Sequence, residues 1–168
     1  MRFIKLAVFS AVVLFFIITA IGLLLPSTVK VSRTISVAAP HDTAYHYIND
    51  VKYWKLWMEG AEENTIRFLS ARTAGIGTVA QIGTNQVSVE QATPTFIETK
   101  WKGESGSVQI GGFNIITDSS NQSTTINWYF EQHVSWYPWE RLSTITNEKI
   151  LGPTMEKSLD NLKQLLEK

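Results

Sequence analysis

The sequence contains no cysteine. Its absence excludes disulfide bonds, metal sites built on thiolates, a thiol nucleophile and a lipid anchor attached to cysteine. An excess of charge is also absent, because 15 basic residues face 15 acidic ones, and we therefore expect no nucleic-acid partner. The chain of 168 residues is long enough for one domain with a substantial hydrophobic core.

Recognisable catalytic motifs are missing as well. The sequence has no HExxH motif and no carboxylate cluster at metal-ligand spacing. His41 and His46 are five positions apart, so a helix would not place them on one face as a metal pair. We expect neither a metal nor a cofactor, and this pattern favours a binding role, with enzymatic activity as the alternative.

One glycine motif carries a second interpretation. The segment Gly75-Ile-Gly77-Thr-Val-Ala80 fits the dinucleotide-binding fingerprint with alanine in its last place. That fingerprint requires a helix after the glycines, whereas residues 79–82 continue as a strand pattern. A turn or bulge is therefore the favoured interpretation.

A long uncharged run lies near the amino terminus. Residues 6–25 would span about 30 Å as a helix, which is the thickness of the hydrocarbon core of a bilayer. The alternative is a cleaved signal peptide, but its apolar region has about 7–15 residues and ends in small residues, whereas this run ends in Leu25-Pro26. Residues 1–27 are therefore predicted to be a single-pass transmembrane anchor that contacts the lipid bilayer through residues 6–25.

The charges beside this run suggest an orientation. Arg2 and Lys5 favour a cytoplasmic amino terminus, although Lys30 and Arg33 on the other side weaken the bias. We expect the following domain, residues 28–168, on the periplasmic or extracellular side of the cell membrane. The sequence gives no indication of the oligomeric state.

The first element after the run is a predicted strand. Residues 29–37 alternate between apolar and polar side chains, as in a half-buried strand. Only two or three residues separate this strand from Pro26, so we expect the domain to sit against the membrane surface. Arg33 falls on the apolar side, where it either reaches solvent or a carbonyl group or contributes to a cavity.

Two short helices and about six strands follow. The first helix is expected to begin near Pro40 with Ala44, Tyr45 and Ile48 facing inward, and the second holds Trp54 and Trp57 on one face. The further strands are predicted near residues 65–69, 78–82, 86–91, 96–102, 108–117 and 124–132.

The last 28 residues, 141–168, predict an amphipathic helix. Met155, Leu159, Leu162 and Leu166 recur at helical spacing on one face. Proline is favoured in the first helical turn, so Gly152-Pro153 predicts that this helix begins there. The apolar faces of the preceding strands would supply the concave surface that receives it.

This order of elements gives an α+β fold with an antiparallel sheet. Two stretches of the sequence carry a family pattern. The first is Val31-Ser-Arg33-Thr-Ile35-Ser-Val37-Ala-Ala-Pro40, followed by Ala44-Tyr45, Asp50 and Trp54-x-x-Trp57. The second is Thr125-Ile126-Asn127-Trp128, Pro138, Arg141, Leu151-Gly152-Pro153 and Leu159-x-x-Leu162-Lys163. In this order and spacing, residues 28–168 resemble the helix-grip fold of the START-like, or SRPBCC, superfamily, close to its polyketide cyclase/dehydrase branch. The chain departs from the family at Met58-Glu59-Gly60, where a proline usually follows the second tryptophan.

The resemblance implies a curved antiparallel sheet wrapped around a long carboxy-terminal helix, with an apolar cavity between them. It also implies that the protein binds lipids or other hydrophobic small molecules. The candidate ligand-binding residues in that cavity are Arg33, Tyr45, Trp57, Ile97, Trp101, Phe113, Ile126, Trp128, Phe130, Met155, Leu159 and Leu162.

Three functions stay open at this point. The first is a membrane-anchored binding module for a hydrophobic small molecule. The second is a cyclase or dehydratase, for which the candidate acid–base groups would be Arg33, Tyr47, Glu98 and Glu131. The third is an envelope interaction module whose cavity is filled by its own side chains, as a volume well below about 300 Å³ would indicate.

The segment Trp136-Tyr137-Pro138-Trp139 has two interpretations. It is either a lid or membrane contact, because tryptophan and tyrosine favour the lipid headgroup region, or it packs where the last strand meets the helix.

Overall fold

The computed structural model describes residues 2–24, 27–62, 65–104, 106–118, 123–134 and 137–168. The elements, in chain order, are α1 (Arg2–Leu24), β1 (Thr28–Val37), α2 (His41–Asn49), a 3₁₀ helix (Val51–Leu56), β2 (Ile66–Phe68), β3 (Val79–Ile82), β4 (Asn85–Thr93), β5 (Phe96–Lys102), β6 (Val108–Asp118), β7 (Ser123–His133) and α3 (Pro138–Leu166).

The strands form one curved sheet in the order β1-β7-β6-β5-β4-β3-β2. Every neighbouring pair is antiparallel, and α3 lies against the concave face. The predicted α+β fold, a curved antiparallel sheet around a long carboxy-terminal helix, is therefore confirmed.

The strand register aligns one end of the sheet. Thr28 at the start of β1 is paired with His133 at the end of β7, and Lys102 at the end of β5 is paired with Val108 at the start of β6. The β3–β4 hairpin turns at the same end. Because the chain enters the sheet here from α1, we call this end the α1 end of the sheet. The opposite end, which carries the β4–β5 turn at Pro94 and Thr95, is called the far end.

Helix α3 begins earlier than the sequence predicts. It starts at Pro138, and Pro153 lies inside it, so the prediction that the helix begins at Gly152-Pro153 is wrong. A proline inside a helix cannot donate to the carbonyl group four residues before it, here that of Lys149. Both Pro153 and Lys149 are exposed, so water can hydrate that carbonyl and the helix continues.

The far end of the sheet is a filled core. Helix α2, the 3₁₀ helix and the second half of α3 cover it, and Ile48, Trp54, Leu159 and Leu162 are fully buried there. The indole N–H of Trp54 donates to the carbonyl of Ile48 at 2.8 Å, which satisfies the polar atom of this large buried ring.

Helix α1 stands apart from this core. Residues Phe3–Leu24 are long and apolar enough to cross a membrane, and their side chains are largely exposed. The helix also contacts α3. By length and composition α1 is a candidate membrane span, whereas its insertion and the side of the membrane on which the domain lies stay predictions, as does the domain boundary at residue 28.

Candidate functional site

A cavity of about 460 Å³ lies between α3 and the sheet. This volume is within the range of about 300–1,000 Å³ that is typical of small-molecule sites. It is also above the volume of about 300 Å³, well below which we would expect a cavity filled by the protein's own side chains. The lining residues are Met58, Glu59, Gly60, Ile82, Gly83, Thr84, Asn85, Trp101, Gly103, Ser107, Gln109, Trp128, Phe130, Leu151, Thr154 and Met155.

Aromatic side chains of the sheet form one wall of the cavity. Trp101 and Phe130 approach each other across β6 with ring centroids 5.6 Å apart, and the strand carries Gly111 between them. A Cβ atom at Gly111 would lie 3.0 Å from Trp101 Nε1 and 3.0 Å from Phe130 Cε1. A side chain at this position would therefore crowd both rings, and glycine leaves room for them to meet edge to face over the strand.

Further aromatic rings back this wall on the side of the far end. The Trp54 ring stacks on Trp101 with centroids 5.9 Å apart, and Phe113 stacks on Trp128 at 5.3 Å. Trp57 packs edge-on against Trp128 at 5.9 Å. Since these rings are buried and interlocked, they form a rigid floor that separates the cavity from the core.

Leu151, Thr154 and Met155 of α3 face the aromatic wall. Thr154 lines the cavity, and its hydroxyl donates to the carbonyl of Ile150 at 3.1 Å. The apolar stripe of α3 thus has two parts: its first part borders the cavity, whereas Leu159 and Leu162 further along are fully buried in the core.

The polar groups of the lining come mainly from the hairpins. Thr84 and Asn85 belong to the β3–β4 hairpin, and Ser107 and Gln109 lie at the β5–β6 hairpin. Among the described lining residues, Glu59 is the charged one, and its carboxylate contacts Lys157 Nζ at 2.8 Å. A mostly apolar site with few polar groups binds hydrophobic molecules and orients them through those groups.

Two indole N–H groups of the wall differ in their partners. Trp101 Nε1 donates to Thr99 Oγ1 at 3.0 Å, and Thr99 in turn donates to the carbonyl of Gly111. Trp128 Nε1 is buried, and no residue in the described part of the chain accepts its hydrogen bond. A buried donor without an acceptor costs free energy, which a water molecule or a ligand acceptor would recover.

Four of the candidate ligand-binding residues line the cavity: Trp101, Trp128, Phe130 and Met155. Six others are buried in the core behind it, namely Trp57, Ile97, Phe113, Ile126, Leu159 and Leu162. Tyr45 lies on α2, where its ring stacks on that of His41. Contact of the predicted residues with a ligand stays a prediction.

The loop and hairpin parts of the lining are not among the residues that the sequence predicts for the cavity. Met58, Glu59 and Gly60 follow the 3₁₀ helix, at the place where the chain departs from the family pattern. Residues in hairpin turns follow no helical or strand periodicity, so no sequence pattern identifies them as part of the cavity lining. The one signal in the sequence is the departure from the family pattern at Met58-Glu59-Gly60.

Arg33 connects β1 to α3 outside the cavity lining. Its guanidinium donates to Glu148 at 2.8 Å, to Glu156 at 2.6 Å and to the carbonyl of Ser32 at 2.9 Å. Hydrogen bonds to Glu148 and Glu156 raise the pKa of Arg33, so it keeps its charge. A Cβ atom at Gly152 would overlap this guanidinium, which explains the glycine beside Pro153.

Replacing Arg33 with glutamine is expected to lower the free energy of unfolding by about 1 kcal/mol, a modest loss because all three charged groups are partly exposed. The melting temperature of the full chain in detergent would fall by about 2–4 °C. Circular dichroism at low and high salt checks this, since salt should shrink the difference between variant and wild type. Lys163→Gln, which removes a contact of 3.9 Å to Glu167, is the control and should change less. An unchanged melting temperature for Arg33→Gln would contradict the assigned role.

The four proposed acid–base groups, Arg33, Tyr47, Glu98 and Glu131, are not part of the cavity lining. Tyr47 packs with the rings of His46 and Tyr53. By the strand register, Glu98 and Glu131 lie on the convex face of the sheet, on the same side as Tyr129.

Two tyrosines have shifted pKa values. Burial raises the pKa of Tyr129, and the nearby carboxylates of Glu98 and Glu131 raise it further. Burial also raises the pKa of Tyr45. Both phenols are therefore neutral hydrogen-bonding groups near pH 7, and neither lines the cavity.

Part of the aromatic segment between β7 and α3 lies outside the described residues. Trp136 falls there, as do Leu25 and Pro26 after α1, and the Trp139 side chain is likewise not described. Tyr137 is exposed. The choice between a lid, a membrane contact and core packing for this segment therefore stays a prediction.

Solved structures with the same fold differ in what their names describe. A START superfamily protein from Mycobacterium smegmatis has a TM-score of 0.63 at 17% identity, over 82% of this chain and 97% of its own. A truncated norcoclaurine synthase from Thalictrum flavum has a TM-score of 0.63 at 14% identity, over 82% and 92%. An HSP90 activator from Plasmodium falciparum has a TM-score of 0.56 at 13% identity, over 82% and 96%. At these identities the likeness shows the fold alone.

A family model gives a firmer result. No curated protein matches the chain. The model described as "Polyketide cyclase / dehydrase and lipid transport" matches residues 28–167, which is most of the chain. Together with the START-like, helix-grip architecture, this match shows that the chain belongs to the polyketide cyclase/dehydrase and lipid transport family.

Proposed function

We propose that this protein is a membrane-anchored binding module that holds a lipid-like or other hydrophobic small molecule between its sheet and α3. The observation that carries the proposal is the cavity of about 460 Å³ with its wall of Trp101, Trp128 and Phe130. A concave space of this size with an apolar wall and a few polar groups is typical of small-molecule sites.

The composition of the lining also supports a hydrophobic ligand. Each methylene group transferred from water into such a site gains about 0.8 kcal/mol, so an aliphatic chain of about ten carbons gains about 8 kcal/mol before the cost of ordering it. The polar side chains at the hairpins would hold a single polar end group. This arrangement fits an amphiphile better than a fully apolar compound.

Helix α1 is the basis of the membrane part of the proposal. Its apolar length matches a bilayer, and Lys5 precedes its central part, so the domain would lie on the outer side of the membrane. Anchoring would keep the binding domain at the surface where hydrophobic molecules accumulate.

The test is direct recovery of a ligand. Residues 28–168, purified without α1 and checked for folding by circular dichroism, should carry apolar molecules in native mass spectrometry and should release a fluorescent fatty acid when an apolar competitor is added. Trp101→Ala enlarges and weakens the wall and should change the affinity, whereas Trp101→Phe should change it less. A folded protein with no bound species and no probe binding would refute the proposal.

One observation favours the alternative of a cyclase or dehydratase. Glu59 is a carboxylate in the cavity lining, although its side chain is 40% exposed and paired with Lys157. An acid–base role predicts that wild-type protein converts a bound compound with loss or gain of water, and that Glu59→Gln binds the compound without converting it. Equal conversion by both proteins would exclude Glu59 as the acid–base group, and conversion by neither would leave the binding role alone.

A further inference from the structure

The cavity lies at one end of the sheet. Its lining takes Ile82 to Asn85 from the β3–β4 hairpin and Gly103 and Ser107 from the β5–β6 hairpin. By the strand register, both hairpins are at the α1 end. At the far end, the β4–β5 turn at Pro94 and Thr95 contributes no described residue to the lining.

The same end of the sheet carries the link to α1. The carbonyl of Ser27 accepts a hydrogen bond from the backbone N–H of Val134 at 2.9 Å, so the pairing of β1 with β7 continues up to the link. Three residues separate Leu24 from Thr28, and an extended chain of that length reaches at most about 14 Å. An α1 helix that spans a bilayer therefore keeps the α1 end of the sheet within a short distance of the membrane surface.

The cavity also changes in character from this end inward. Thr84, Asn85 and Ser107 are polar and lie at the hairpins. Trp128 is five residues before the end of β7, which places it about 16 Å further in, and together with Phe130 and Met155 it gives that part of the lining an apolar wall. The aromatic floor of Trp57 and Phe113 lies behind it. A lipid would place its polar end at the hairpins and its chain toward the floor.

We propose that the hairpin end of the cavity faces the bilayer that holds α1, and that the ligand is a lipid of that same bilayer, whose acyl chain enters the cavity without passing through bulk water. This proposal rests on the proposed function, because it requires both the membrane span and a cavity that binds a hydrophobic molecule. It adds the source of the ligand and the direction from which it enters.

The orientation is tested with two single-cysteine variants of the full chain, which is possible because the natural sequence has no cysteine. Thr84→Cys and Thr95→Cys are matched, since both are exposed turn residues at opposite ends of β4, about 30 Å apart. Each carries a fluorophore in phosphatidylcholine vesicles that contain lipid with a nitroxide on its headgroup. We expect strong quenching at position 84 and little at position 95. Equal quenching, or quenching at position 95 alone, would overturn the proposed orientation.

The source of the lipid is tested with the unlabelled full chain in the same vesicles. Phosphatidylcholine with a fluorescent nitrobenzoxadiazole group on its acyl chain is placed either in the protein's own vesicles or in separate ones, and dithionite then reduces the accessible fluorophores. Beyond the inner-leaflet fraction that is also protected in protein-free vesicles, we expect protection of up to one fluorophore per protein when the labelled lipid shares the bilayer, and much less when it starts in separate vesicles. Equal protection in both arrangements would refute direct transfer.

The two parts of the proposal fail in distinguishable ways. If residues 28–168 bind no apolar molecule, the proposed function fails, and protection from dithionite fails with it. If they bind such molecules but the fluorophore at position 84 is not quenched, only the orientation toward the bilayer is wrong. Binding by residues 28–168 without protection in vesicles overturns the membrane lipid as the ligand.

Discussion

Replacing Thr154 with tryptophan is expected to lower the affinity of residues 28–168 for an apolar ligand at least tenfold, which is about 1.4 kcal/mol. Thr154 lines the cavity from α3, and its hydroxyl bonds only to the helix carbonyl of Ile150 among the contacts described. An indole at this position points into space that the ligand needs, whereas it removes no buried core contact. The displacement of a fluorescent fatty acid measures the change.

The matched control is Asp160→Trp, which adds the same side chain to the exposed face of the same helix. It should leave the affinity within about twofold of wild type, which corresponds to less than about 0.5 kcal/mol. Circular dichroism should show that both variants keep the fold. If Thr154→Trp binds the ligand as tightly as Asp160→Trp does, the cavity is not the binding site.

The sheet is the part of this protein that the sequence predicts best. Strand β7 shows why, because Ile126, Trp128 and Phe130 alternate with polar neighbours, and a period of two residues determines which side chains face the helix. Long alternating strands leave little freedom in assigning faces. The short β2, by contrast, keeps only Ile66–Phe68 of the predicted residues 65–69.

The start of α3 was mispredicted because the local rule for proline competes with packing. Proline is favoured in the first turn of a helix, but Pro153 lies on the exposed face, where the carbonyl it leaves unpaired can reach water. Leu151 before it and Met155 after it continue the same apolar face against the sheet. The burial of this face outweighs the lost hydrogen bond.

The division between cavity and core was not predictable from periodicity. Met155 and Leu159 are one helical turn apart on the same face, yet Met155 borders the cavity whereas Leu159 lies in the filled core. Periodicity tells which face a residue occupies but not how far the sheet lies from the helix at that level. That distance depends on the curvature of the sheet and on the 3₁₀ helix, which fills the far end with Trp54.

Arg33 illustrates the same limit for charged residues. Its place on the apolar side of β1 was compatible with a role in the cavity or with a partner near the surface. The guanidinium of Arg33 forms ion pairs with Glu148 and Glu156, which are eight positions apart on α3. Gly152, midway between them, leaves room for the guanidinium. A contact between residues this distant in sequence depends on tertiary packing, which local patterns do not contain.

Substitutions at Phe113 and Phe130 are expected to distinguish the floor of the cavity from its wall. Phe113→Ala is expected to lower the free energy of unfolding by about 3–5 kcal/mol, because this ring is 1% exposed and packs between Trp54, Trp57 and Trp128. Phe130→Ala is expected to cost less, about 1–2 kcal/mol, since one side of its ring already borders the cavity.

The comparison of these two variants is more informative than either value. Denaturation of residues 28–168 by urea, followed by circular dichroism, measures stability, and displacement of the fluorescent fatty acid measures affinity. Phe113→Ala should have the larger effect on stability, whereas Phe130→Ala should have the larger effect on affinity relative to its effect on stability, because it removes a wall that a ligand would contact. If the two variants lose stability equally and neither changes affinity, the space beside Phe130 behaves as part of the core, and the proposed binding site would have to be abandoned.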